Sequence, residues 1–95
     1  MSIGLLTLTL HLPGCSSLKE KRSRIKPLLA RLHREFNVSV SEIDRQDSWR
    51  DAILACVLVS SDTAQTQRSL QGVSRCVETH WPDVEVVDDH LELIN

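Results

Sequence analysis

From Ile3 to Leu12 the chain alternates: Leu6, Leu8, Leu10 and Leu12 share one parity, and Leu5, Thr7, Thr9 and His11 share the other. A side-chain period of two predicts a strand over this stretch. Pro13-Gly14 ends it, and Ser17-x-x-Glu20 then reads as a capping box that opens a helix running to about Glu35. On a helical wheel Leu18, Ile25, Leu28, Leu29, Leu32 and Phe36 form one apolar arc, the stripe expected to face the core. Lys21 falls inside that arc, so it must snorkel, pair with an acid or precede the true helix. Pro27 lies within the same helix and predicts a kink or a break near Ser23, where Ser23 or Arg24 could cap a second start.

Further along, Asn37 to Ile43 reads as a second strand and Ala52 to Ser60 as a third, joined by the polar loop Asp44 to Asp51. The third strand is apolar on both faces from Ile53 to Val59, the pattern of a central strand. Asp62 with Gln65 caps a helix to about His80, with Leu70, Val73 and Val77 on its stripe, and Trp81-Pro82-Asp83 stops it. Val84 to Ile94 completes the set as a fourth strand, whose Glu85, Asp88, Asp89 and Glu92 suit an edge that must resist pairing with other chains.

Strand, helix, strand, strand, helix, strand predicts an α+β fold: a ferredoxin-like βαββαβ two-layer sandwich, with a four-stranded antiparallel sheet and two helices on one face. Right-handed crossovers place the first and third strands centrally and the second and fourth at the edges. The 95 residues are expected to form a single domain, 1–95. Two helices cover only one sheet face. The other face carries apolar residues of the first and third strands, and contiguous exposed apolar surface of this kind marks a partner site, here a homodimer through the open sheet face or a cover supplied by a loop or tail. Leu5, Leu54 and Leu58 are the positions at which a charge would probe that face, once it is known which of them point away from the helices.

Charge changes the picture more than composition does. The net charge is only −2, yet residues 1–37 hold seven Lys/Arg against two acids, and residues 38–95 hold four against eleven. A basic first third is thus joined to an acidic remainder. Five of the cations crowd into Ser16 to Lys26, where a helix N-terminus prefers acids. The apolar run Ile3 to Leu12 is too short for a membrane helix and lacks a basic leader, so neither a membrane partner nor a signal peptide is predicted, and a cytoplasmic address is expected. Cys15, Cys56 and Cys76 are odd in number and widely spaced, which suggests reduced thiols and no zinc knuckle or iron–sulfur cluster.

The segments S-L-K-x-K-R, on Ser17 to Arg22, and F-N-V-S-V-x-E-x-x-x-Q-D-x-W, on Phe36 to Trp49, resemble the YlxP family of small bacterial proteins of unknown function. The resemblance runs over almost the whole chain. It implies a ferredoxin-like fold, in agreement with the pattern of elements. Genes of that family are often found among those for translation and ribosome maturation, so the resemblance also implies an RNA-related role by association. It supplies no catalytic or binding residues. Pro27 departs from it, and bears on the continuity of the basic helix face.

The candidate chemistry is therefore electrostatic. Lys19, Arg22, Arg24 and Lys26, extended by Arg31 and Arg34, are the expected contacts to an RNA backbone or a ribonucleoprotein; such contacts position a nucleic acid without reading its sequence. The competing reading is a solvated helix face with some cations paired to Glu20, Glu35 or acids of other elements. In the loop Asp44 to Asp51, Gln46, Asp47 and Trp49 are candidates for an interaction tip with Trp49 as anchor. The alternative is structural, with Trp49 capping the core, Asp47 capping a turn and a loop acid pairing with Lys21 or Arg22. Phe36, Trp49 and Trp81 lie outside the central strands, which disfavours base stacking on the sheet. No enzyme is predicted: an acylphosphatase-like loop would need a glycine-rich G-x-V-Q-G-V-x-F-R pattern that Pro13 to Arg22 lacks. Cys76 and His80, four apart, would make only half of a metal site, and no metal or other cofactor is expected.

Overall fold

The computed structural model describes residues 1–94. Its elements are β1 (Ser2–His11), α1 (Leu18–Phe36), β2 (Ser39–Asp44), β3 (Asp51–Ser60), α2 (Thr63–His80) and β4 (Glu85–Ile94). The four strands form one sheet in the order β2-β3-β1-β4, with every neighbouring pair antiparallel. This is the ferredoxin-like arrangement, with the two most apolar strands at its centre.

Alternation decides which face each residue serves. Leu6, Leu8 and Leu10 of β1 and Ala52, Leu54, Cys56 and Leu58 of β3 are buried on the helix side. They meet Ile25, Leu28 and Leu32 of α1 and Leu70, Val73 and Val77 of α2 in one hydrophobic cluster. Truncating a leucine as enclosed as Leu8 or Leu54 costs about 2–5 kcal/mol in cores of this kind, so these rows dominate the stability of the two-layer packing. Leu54 and Leu58 thus belong to the core, and Leu5 alone of the three probe positions faces away from the helices. Gly4 sets the separation of β1 and α2: a Cβ there would stand 2.5 Å from Thr66 Cγ2 and 2.6 Å from Leu70 Cδ1.

The capping box forms with a variation. Ser17 Oγ accepts from the Glu20 amide at 3.0 Å, while the Glu20 carboxylate reaches back to the Ser16 amide at 2.6 Å, one residue beyond the cap. That second bond is the main reason the Glu20 carboxyl is held below its ordinary pKa. At the far end Asn37 adopts the left-handed conformation, φ 53°, and its amide closes the helix onto the His33 carbonyl. Asn37 is therefore the helix cap, and β2 starts two residues later than its apolar pattern predicts.

The break expected near Ser23 does not occur; α1 is continuous from Leu18 to Phe36 with Pro27 inside it. Pro27 and Ser23 are both exposed, so the carbonyl that loses its amide partner lies on the solvent side and can be hydrated. The lost hydrogen bond therefore falls where water can replace it.

Candidate nucleic-acid interface

The six cations proposed on α1 separate into two groups. Lys19, Arg22 and Lys26, spaced i, i+3, i+7, project from one exposed ridge, and Arg34 continues it two turns later. Over fifteen residues this ridge extends roughly 22 Å along the helix. Among the described residues none of the four takes part in an ion pair; the pairs are His11–Asp51, Lys21–Glu42, Arg24–Asp83, Arg31–Glu35 and His90–Glu92.

Arg24 and Arg31 are engaged within the fold. Arg24 donates to the Pro13 carbonyl at 3.1 Å and lies 3.9 Å from Asp83, tying α1 to the β1–α1 and α2–β4 loops at one end of the sandwich. Arg31 Nε donates to Glu35 Oε2 at 3.0 Å, and its guanidinium lies 5.5 Å from the centre of the Trp81 ring. Hydrogen bonding to Arg31 is the first cause holding the Glu35 carboxyl below its usual range, and the same bond raises the Arg31 pKa. Both partners of Arg31 are satisfied locally, so less of its charge is available to an outside ligand.

Lys21 is the cation that the helical wheel could not place on the surface. It is 2% exposed, its Nζ lies 2.7 Å from Glu42 Oε2, and it donates to the Arg45 carbonyl at 2.7 Å. Glu42 Oε2 is itself buried and makes no aligned hydrogen bond, so the contact with Lys21 is a close ionic one. The acid comes from β2. What the following loop supplies is the Arg45 carbonyl, in a turn where Arg45 has φ 63° and the Ser48 amide donates back to the Arg45 carbonyl at 3.0 Å. Lys21 thus pins both β2 and the turn after it to the first turns of α1.

In that loop Gln46, Asp47 and Trp49 are all exposed. Trp49, at 53% exposure, does not cap the core, whereas Leu12 and Cys15 are fully enclosed. Ser48, rather than Asp47, holds the turn: its hydroxyl accepts from the Asp51 amide at 3.2 Å and lies 3.3 Å from Asp51 Oδ2. On the other Asp51 oxygen, His11 Nδ1 forms a 3.2 Å bond, the leading reason the Asp51 carboxyl lies below its ordinary pKa. Sequence spacing gave no hint of this cluster, because His11 and Asp51 meet only through the β1–β3 register. The serine is bonded to the carboxylate rather than to the imidazole, so the arrangement does not activate a nucleophile.

The three cysteines are free thiols and buried. Burial pushes the Cys56 thiol up to about 12, and it is also the leading cause of the rise at Cys76. Cys76 Sγ makes its polar contact with Glu35 Oε2, at 3.8 Å. No group of three or more His, Cys, Asp or Glu among the described residues is placed to hold a metal, and no helix is long and apolar enough to cross a membrane.

Comparison with solved structures shows the fold. A structural-genomics protein YJCS superposes with a TM-score of 0.58 at 14% identity, over 98% of this chain and 99% of that one. A putative antibiotic biosynthesis monooxygenase from Chloroflexus aurantiacus J-10-fl gives 0.58 at 13% identity, over 100% and 94%. In sequence, the uncharacterized protein YlxP of Bacillus subtilis (strain 168) is 42% identical over 69 residues, 73% of this chain and 74% of that protein. Residues 3–90 match the family described as protein of unknown function (DUF503). With both its sequence match and its fold in place, the chain belongs to this YlxP-like family of unknown function.

Proposed function

We propose that the protein binds RNA, alone or within a ribonucleoprotein, through the exposed ridge of α1. One observation carries the reading: Lys19, Arg22, Lys26 and Arg34 project on one side of a rigid helix and form no ion pair among the described residues, whereas the neighbouring Arg24, Arg31 and Lys21 are all engaged. Cations left unneutralised along a helix in an otherwise acidic chain are matched to a row of phosphates. Shape and backbone charge, rather than base edges, are what such a ridge can read. The gene association implied by the family resemblance makes structured ribosomal RNA the first target to try.

Three to four engaged phosphates give a log–log salt slope of about −2 to −3.5, steeper on duplex than on single-stranded RNA. The double variant Arg22→Glu, Lys26→Glu is expected to abolish RNA binding while its circular dichroism and melting stay unchanged. Salt-independent binding, or full affinity in that variant, refutes the reading.

A second reading rests on the open sheet face, where Ile3 and Leu5 of β1 lie beside Val57 and Val59 of β3 and Ile94 of β4. Val59 is 63% exposed and Ile94 47%, an apolar end to a face whose middle is the small row Ser41, Ala55 and Thr7. A homodimer packing these ends together buries them. Leu5→Asp is expected to convert such a dimer to monomer in analytical ultracentrifugation; a monomeric native protein removes this reading and leaves the RNA ridge untouched.

A further inference from the structure

Between α2 and β4 lies a cavity of about 470 Å³, within the size range of small-molecule sites. Its floor is Leu6 and Leu91, and its walls are Gln71, Ser74, Arg75 and Glu78 from α2 with Asp89 from β4. The α2 residues are spaced i, i+3, i+4, i+7, so they form the single helix face that overlooks the edge strand. Asp89 is brought to the cavity by an irregularity in β4. The β1–β4 register shifts between Thr9 and Leu10, leaving Val87 as the extra residue, so that Val86, Asp89 and Leu91 pair with Leu10, Leu8 and Leu6 in the helix-facing row. A carboxylate thus stands between Val86 and Leu91 in the helix-facing row.

Among the described residues, the charged groups here have no ion-pair partner. None of the ion pairs among the described residues includes Arg75, Glu78 or Asp89, so the guanidinium nitrogens are more than 4.0 Å from both carboxylates. Ser74 is 7% exposed, lines the cavity, and its side chain makes no hydrogen bond to another described residue. The residue is enclosed while its hydroxyl stays free, so the oxygen opens onto the cavity as a donor and acceptor available to an occupant.

The geometry points to a site for a free α-amino acid. Arg75 supplies the planar fork that a carboxylate accepts, Asp89 supplies the counter-charge for an ammonium, and Ser74 and Gln71 add neutral hydrogen bonds between them. Leu6 and Leu91 offer an apolar floor for an aliphatic side chain. Glu78 adds a second negative charge, which disfavours acidic amino acids and favours neutral or basic ones. Nothing in this assignment uses the α1 ridge.

Titration of the full chain followed by amide NMR distinguishes the outcomes, with leucine, lysine, glutamate, N-acetyl-leucine and leucine methyl ester as probes. Leucine or lysine is expected to shift the amides of residues 71–78 and 89–91 saturably, and more tightly than glutamate. Masking either the amine or the carboxylate is expected to weaken binding by about tenfold or more, as are Arg75→Met and Asp89→Asn, since each removes a charged contact. Both residues are exposed at the surface, and unchanged spectra elsewhere verify the fold of each variant. Absence of saturable shifts with every free amino acid overturns the assignment. So does equal binding of the masked compounds, which reports only the apolar floor, or equal binding by both variants.

Discussion

The two edge strands each turn one acid toward the helices, and the two halves of the fold treat that acid in opposite ways. In the first half Glu42 of β2 meets Lys21 of α1 at 2.7 Å, and the pair is closed beneath the helix. In the second, Asp89 of β4 faces the α2 residues Gln71, Ser74 and Arg75 across a cavity and has no cationic partner within 4.0 Å among the described residues. The same sequence device, a carboxylate in an inward-facing row of an edge strand, therefore becomes a structural lock where the helix supplies a buried ammonium. Where the helix offers only a distant guanidinium, it becomes an open polar recess.

The largest effect should come from breaking the lock. Glu42→Ala leaves the Lys21 ammonium enclosed without its counter-charge and is expected to cost about 3 kcal/mol or more in urea unfolding. For a domain of this size that corresponds to a fall in Tm of roughly 12–24 °C. Lys21→Met should be milder, because the side chain of Glu42 is 20% exposed and can turn toward water. A cost below about 1 kcal/mol for Glu42→Ala would show that the two edges do not differ. An intermediate effect is expected for Arg31→Ala, which removes the Glu35 bond and the Trp81 contact at the surface: a drop in the urea midpoint smaller than that of Glu42→Ala. The smallest should be Asp89→Asn, within about 0.5 kcal/mol of the parent, since Asp89 is exposed and holds no other described residue. Were Asp89→Asn to cost as much as Glu42→Ala, the second edge would also be a lock, in a form the geometry does not reveal.

How far these features were readable in the sequence depended on whether the cause was local. The alternation of β1, the two-sided apolarity of β3 and the Ser17–Glu20 box are nearest-neighbour signals, and they placed the elements correctly. Lys21 was conspicuous for the same reason, being a charge within an apolar stripe, and pairing with an acid was one of the three ways the sequence left to place it. Which of them holds, and that the acid is Glu42 of β2 rather than one of the Asp44 to Asp51 loop, is set by tertiary packing. Arg24 and Arg31 looked like Lys19 and Arg22 along the chain; what separates them is Pro13, Asp83 and Trp81, which lie on other elements. Asp89 was hidden more thoroughly. It sits among Glu85, Asp88 and Glu92, where acids suit any exposed edge, and only the extra residue at Val87 puts Asp89, rather than Asp88, in the helix-facing row begun by Val86. Pro27 misled because a proline's effect depends on which side of the helix loses its hydrogen bond, and that is fixed by packing.

The three enclosed thiols give the molecule a means of being interrogated without any substitution. Cys15 lies in the turn between β1 and α1, Cys56 in the middle of β3, and Cys76 on the inner face of α2 beside Glu35, each with 8% exposure or less. A thiol-specific alkylating reagent can reach them only when the surrounding structure opens, so the three labelling rates act as clocks on three separate parts of the sandwich. Cys56 should keep time with global unfolding, while Cys15, next to the segment that Lys21 pins, should run ahead of it as soon as the lock to Glu42 is released.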